Sequence, residues 1–144
     1  MQHNAIWNTQ LKRIKFYDPD TNQWANACPM NVARSVAGVA SLSSSIYVAG
    51  GYNGKDYLDT VESYDIELNK WLPYPSMNVR RSALGLVIYG GSLYACGGFS
   101  GSFQSSVEKL VPGMELWENC VSMTVHFAIS CTQFSFCVCI PVFK

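Results

Sequence analysis

Few residues in this chain have the types and spacing that chemistry requires. The two histidines, His3 and His126, lie far apart and outside anything that repeats. There is no His-x-x-x-His and no paired Cys-x-x-Cys. The six cysteines (Cys28, Cys96, Cys120, Cys131, Cys137 and Cys139) therefore space like neither a zinc ribbon nor a zinc finger. A Gly-x-Ser-x-Gly nucleophile turn is absent. The runs Gly50-Gly51-Tyr-Asn-Gly and Gly97-Gly98-Phe-Ser-Gly superficially offer phosphate cradles. Neither is followed by the Lys-Ser/Thr pair or the helical pattern that a phosphate loop needs. Asp18 and Asp65 occupy equivalent places, which suits strand-end turns better than an acid/base pair. The expectation is a protein that is not an enzyme, with no cofactor, no metal site and no catalytic residue.

What remains suits binding. Arg34 and Arg81 each precede a short apolar run. A guanidinium there either hydrogen-bonds loop carbonyls or turns its planar fork toward a carboxylate of a bound peptide. Residues 52–57 (Tyr-Asn-Gly-Lys-Asp-Tyr) and 99–104 (Phe-Ser-Gly-Ser-Phe-Gln) mix aromatic with polar side chains, as peptide-recognition loops do. Tyr52, Asn53, Tyr57, Phe99 and Ser100 are the candidate contacts there. The plainer reading makes Asn53-Gly54 and Ser100-Gly101 ordinary turns.

Bulk composition narrows the partner. Ten basic and ten acidic side chains cancel, so no charge favours nucleic acid or an anionic membrane. Nearly half the residues are apolar and 13% aromatic, which excludes a disordered chain. The amino terminus lacks the apolar stretch of a signal peptide, and no Asn-x-Ser/Thr acceptor occurs. A reducing, cytoplasmic setting with free thiols is expected.

The elements that position these residues repeat. A shift of 47 places Tyr17 on Tyr64, Trp24 on Trp71, Met30 on Met77, Arg34 on Arg81, Tyr47 on Tyr94 and Gly50-Gly51 on Gly97-Gly98. A shift of 46 then places Val61-Glu62 on Val107-Glu108, Trp71 on Trp117 and Met77 on Met123. Beyond Met123 the pattern stops, with Phe127 where an arginine is due. Each unit holds four short runs: residues 35–42, 45–51, 60–65 and 70–73 in the first full copy. Alternating apolar positions, glycine stops and a closing proline fit four antiparallel strands. No stretch sustains a helical period.

This unit resembles the Kelch repeat. Gly50-Gly51, Tyr64 and Trp71 carry the likeness, and the fuller pattern is similar to the kelch-like proteins, which set BTB and BACK domains ahead of a propeller. The resemblance spans residues 14–123 and implies an all-β fold, a partial propeller of four-stranded antiparallel blades, with about two complete blades plus partial ones. It divides the chain into a leader or blade remnant (1–13), an outer half-blade (14–34), a second blade (35–81), a third, incomplete blade (82–123) and an apolar, non-repeating tail (124–144). It makes Gly50, Gly51, Gly97 and Gly98 close-approach positions. Trp24, Trp71 and Trp117 become glue between blades, and Tyr17 and Tyr64 join them as structural repeat residues.

The resemblance also implies a partner. Kelch-like propellers capture a target protein while BTB and BACK domains engage a cullin-based ubiquitin ligase, and their arginine at this place is similar to residues that contact degrons. No residues here correspond to BTB or BACK, so cullin contact would need domains this chain lacks. Some kelch proteins bind actin filaments, which gives a second expected partner. Copper oxidases also use such propellers, but their His/Tyr/Cys constellation is missing. The tail after residue 124 has no Lys, Arg, Asp or Glu until Lys144 and carries three cysteines. A membrane anchor is one reading of it, since about 20 apolar residues span a bilayer. Ser130, Thr132, Gln133, Ser135 and Pro141 speak against that, and a splice or gene-model end is the plainer account.

Overall fold

The computed structural model describes residues 12–124. The leader before Lys12, and the tail from Val125 onward with its membrane-anchor and splice-end readings, lie outside the described residues. Within them the chain forms ten strands and no helix. A hairpin of β1 (Lys15–Asp18) and β2 (Gln23–Asn26) comes first. β3 (Gly38–Leu42), β4 (Ser45–Ala49), β5 (Val61–Asp65) and β6 (Lys70–Tyr74) form one antiparallel sheet in sequential order. β7 (Gly85–Tyr89), β8 (Ser92–Cys96), β9 (Val107–Leu110) and β10 (Glu118–Asn119) form another. The fold is that of consecutive propeller blades, two complete and one half. The third blade, expected to be incomplete, has its fourth strand, although β10 is only two residues long.

Turn chemistry explains where strands end. Asp65 Oδ1 accepts the N–H groups of Glu67 and Leu68, both at 2.9 Å, and Asn69 closes the turn at φ 48°. Asp18 accepts from Asp20 N–H at 2.9 Å, and Asn22 closes that turn at φ 53°. Asparagine tolerates this left-handed region better than most residues. The two recurring aspartates are thus turn formers.

The inner strands begin later than their apolar runs suggest. Val36 and Ala83 sit at φ 52° and 50°, which breaks the chain before β3 and β7. Ser35 and Ser82 pair instead with Tyr52 and Phe99 as single bridges. Ala83 N–H donates to Val36 C=O at 2.8 Å, so the two irregular residues also tie neighbouring blades together.

The core lies between sheets, not within one. Along β4, Ile46 and Val48 face the first hairpin and pack with Ile14, Met30, Tyr64 and Trp71. Tyr47 and Ala49 face the other way and pack with Leu84, Leu86, Leu93 and Trp117. Side chains alternate sides along a strand, so a central blade needs apolar residues at successive positions.

Candidate partner-binding face

A strap of chain links each blade to the next, and one network pins it twice. In the first strap, Glu62 accepts the N–H of Asn31 at 2.8 Å and of Val32 at 3.0 Å. Arg34 reaches the same carboxylate at 2.8 Å, and its other amino group donates to the carbonyls of Gly50 (2.7 Å) and Thr60 (2.8 Å). In the second strap Glu108 holds Asn78 and Val79, and Arg81 donates to Glu108, Gly97 C=O and Ser106 C=O. Burial pushes the Arg34 guanidinium below its ordinary pKa, and the hydrogen bond and charge of Glu62 push it back up. Both arginines are buried with their terminal amino groups engaged, and Arg34 Nε is buried without a hydrogen-bond partner. The expected contact of Arg34 and Arg81 with a partner's carboxylate has no free fork to use. They serve as the carbonyl-bonding alternative describes.

The double glycines sit where these straps cross. Gly51 N–H donates to Arg81 C=O at 2.9 Å. A Cβ on Gly50, at φ 63°, would stand 2.3 Å from that same carbonyl oxygen. Gly51 and Gly98 would each meet a serine carbonyl at 2.7 Å, Ser35 and Ser82 respectively, and Gly97 has φ 61°. Glycine is needed because a neighbouring backbone occupies the space of a side chain.

Trp71 and Trp117 lock the straps from outside. The Trp71 indole N–H donates to Cys28 C=O and that of Trp117 to Pro75 C=O, each at 2.8 Å. Tyr64 stacks on Trp71 with ring centres 5.0 Å apart. Tyr17 meets Trp24 similarly at 5.5 Å, but Trp24 is 53% exposed. Among the described residues no preceding blade covers it.

The loops anchored by this scaffold converge. Tyr52, Tyr57, Phe99 and Phe103 form a continuous row, with successive ring centres 5.3, 5.7 and 5.4 Å apart. The Tyr57–Phe99 contact crosses the junction between blades. Bridges Tyr52 to Tyr57 and Phe99 to Phe103 close each loop into a small hairpin. Asn53 Oδ1 accepts the N–H groups of Lys55 and Asp56, so that side chain shapes the loop. Ser100 Oγ accepts from the Gln104 amide at 2.7 Å. Phe103, at the end of the row, is 60% exposed.

The structure therefore brings together Tyr52, Asn53, Tyr57, Phe99 and Ser100, and separates Arg34 and Arg81 from them by burial. Sequence reasoning missed Phe103, although it is the second aromatic of its loop. It also missed Glu62 and Glu108 as arginine partners, although the acids recur with nearly the same period as the arginines. Cys28, Cys96 and Cys120 are free thiols, and burial raises the Cys96 pKa. Among the described residues, no group of three or more His, Cys, Asp or Glu converges on a metal position. No helix among them is long and apolar enough to cross a membrane.

Known proteins share this architecture. The family profile described as the Kelch motif matches residues 33–78 and 80–124. Kelch-like protein 4 of Homo sapiens is 41% identical over 49 residues, covering 34% of this chain and 7% of that protein. Kelch-like protein 1 of Mus musculus is 37% identical over 51 residues, covering 35% and 7%. Kelch-like protein 7 of Homo sapiens is 37% identical over 59 residues, covering 41% and 10%. Each match thus spans a tenth or less of the relative's length. The solved structure of YjhT aligns with a TM-score of 0.65 at 12% identity, over 78% of this chain and 52% of that one. At such identity it speaks for the fold alone. With two successive repeats matched in register and the strap, glycine and tryptophan geometry repeated in space, the chain belongs to the Kelch-repeat family.

Proposed function

We propose that this chain is a protein-capture module whose loop face, centred on the Tyr52–Tyr57–Phe99–Phe103 row, binds a segment of a partner protein. The cross-blade ring contact at 5.7 Å carries this reading, because it merges two loops into one surface on a rigid scaffold. Aromatic side chains flanked by amide and hydroxyl groups make the anchors and rim of protein interfaces. Asn53, Ser100 and Gln104 supply the polar edge.

By likeness to the kelch-like proteins, the captured segment is the target of a cullin-based ubiquitin ligase in the cytoplasm. This chain supplies part of the recognition surface, and ligase contact belongs to BTB and BACK domains. Actin is the other partner the family offers, and no contact in this loop face favours it.

Affinity capture from cells with ligase turnover blocked tests the reading. Partners should be retained by the natural chain and by an exposed-surface control, Leu68→Ser, and lost from a Tyr57→Ser/Phe103→Ser variant that still melts cooperatively. Identical partner sets for all three would refute it. Co-pelleting with actin filaments, unchanged by the loop substitutions, would favour the cytoskeletal reading.

A further inference from the structure

We propose that Arg80 is the carboxylate-binding residue of the loop face, and that the captured segment carries an Asp or Glu close to its apolar anchor. This rests on the capture reading above and names the chemistry of its partner. Arg34 and Arg81 spend their terminal amino groups on Glu62, Glu108 and backbone carbonyls. Arg80, the next residue on the strap, does not. Its Nε donates to Asp59 Oδ2 at 3.3 Å. Among the described residues its terminal amino groups make no hydrogen bond, and its side chain is 66% exposed. The edge of the guanidinium away from Asp59 is therefore open. Two parallel N–H groups on one edge match the two oxygens of a carboxylate.

Repetition separates what the fold needs from what this face adds. Every junction residue recurs, Arg34 with Arg81 and Glu62 with Glu108. Arg80 stands where Ala33 stands one blade earlier, and Asp59 where Ser105 stands one blade later. The backbone bonds at these places are kept: Met77 N–H to Asp59 C=O at 2.9 Å, and Met123 N–H to Ser105 C=O at 2.8 Å. The blades are thus built without the Arg80–Asp59 pair, and an exposed pair of this kind adds little to stability.

Placement also suits recognition. Strand alternation puts the loop after β4 and the strap after β6 at the same end of the blades. Arg81 N–H donates to Leu58 C=O at 3.0 Å, and Leu58 directly follows Tyr57. Glu108 holds Val79 N–H at 3.1 Å. Arg80 is fixed through both backbone neighbours at the foot of the aromatic row. Asp59 restrains the guanidinium itself, so less side-chain freedom is lost on binding. Lys55 and Asp56, the charged residues of the two loops, are adjacent and offset each other.

Selection from a phage-displayed library of random peptides on the immobilised 144-residue chain tests this. Retained peptides should share an Asp or Glu at a fixed spacing from an aromatic or aliphatic residue. Arg80→Gln should abolish the acidic preference and keep the apolar one, and Arg80→Glu should turn the preference toward Lys or Arg. A synthetic peptide of the natural consensus should bind Arg80→Gln about tenfold more weakly, with a shallower dependence on salt. Both variants should melt with the natural chain, since the side chain is exposed. An apolar consensus without an acid, or an acidic preference that survives Arg80→Gln, would overturn the proposal and leave the capture reading standing. Equal retention of peptides by the natural chain and by Tyr57→Ser/Phe103→Ser would overturn both.

Discussion

Arg81 and Glu108 meet at 2.6 Å with both side chains at 0% exposure. Arg34 and Glu62 make the same pair one blade earlier at 2.8 Å. Removing one partner of a buried ion pair costs about 3–5 kcal/mol, since the remaining charge stays desolvated. Arg81→Met should lower unfolding free energy in urea titration by that order. The double variant Arg81→Met/Glu108→Leu should not recover it, because Glu108 also accepts the N–H groups of Asn78 and Val79. A double variant as stable as the natural chain would show that the strap does not need its carboxylate.

Gly50 and Gly54 separate two causes of intolerance. Both have positive φ, 63° and 98°, but a Cβ on Gly54 meets nothing within 4 Å. Gly54→Ala should therefore lose only the cost of backbone strain, about 1–3 kcal/mol. Gly50→Ala adds collision with the Arg81 carbonyl and should melt well below it. Equal melting temperatures would mean that the blades can separate at this crossing without loss.

The tryptophans make a paired comparison. Trp71→Ala empties a filled slot and should cost about 3–5 kcal/mol. Trp24→Ala, at an indole that is 53% exposed, should cost well under half of that. Chemical denaturation of both checks the order, and a reversed order would contradict the burial described above.

Alkaline pH should weaken the fold. The Tyr64 hydroxyl donates to Asn69 Oδ1 at 2.7 Å, and burial, then the charges of Cys28 and Asp65, raise its pKa above 10.0. Burial likewise raises the Cys96 thiol above 9.0. The native state holds these protons longer than the unfolded chain. Their contribution is therefore complete below the ordinary values and lost as pH rises through the native ones. Melting temperature should hold from about pH 7 to the ordinary thiol value of 9.0 and fall beyond it. Tyr64→Phe should flatten the fall above pH 10, and an unchanged slope would remove Tyr64 as its source.

Much of the fold was legible because repetition multiplies weak signals. Trp71 alone says little, but Trp71 and Trp117 in register with Met77 and Met123 mark a junction in the sequence itself. Arg34 and Arg81 show where such reading ends. A planar fork suits a buried carbonyl cage and an exposed peptide carboxylate equally well. Only burial decides between them, and burial depends on how blades cross. The recurrence of Glu62 at Glu108 was the available clue. The break at Val36 was hidden for another reason, since a β-branched residue argues for a strand, and the bond from Ala83 outweighs that preference. The aromatic row was half visible. Its rings lie in two loops that sequence places 42 residues apart, from Tyr57 to Phe99, and that the junction brings into contact.

Because β4 gives Ile46 and Val48 to one junction and Tyr47 and Ala49 to the other, its length matters as much as its composition. A single-residue deletion between Ser44 and Gly50 would exchange the two sets. It would send tyrosine into a layer built for isoleucine and shift the double glycine off the strap crossing. The same deletion in residues 54–56, all exposed, would change only the loop tip that Asn53 shapes. Length variation among relatives should therefore collect in these loops, leaving new surfaces to arise there while the strands keep their count.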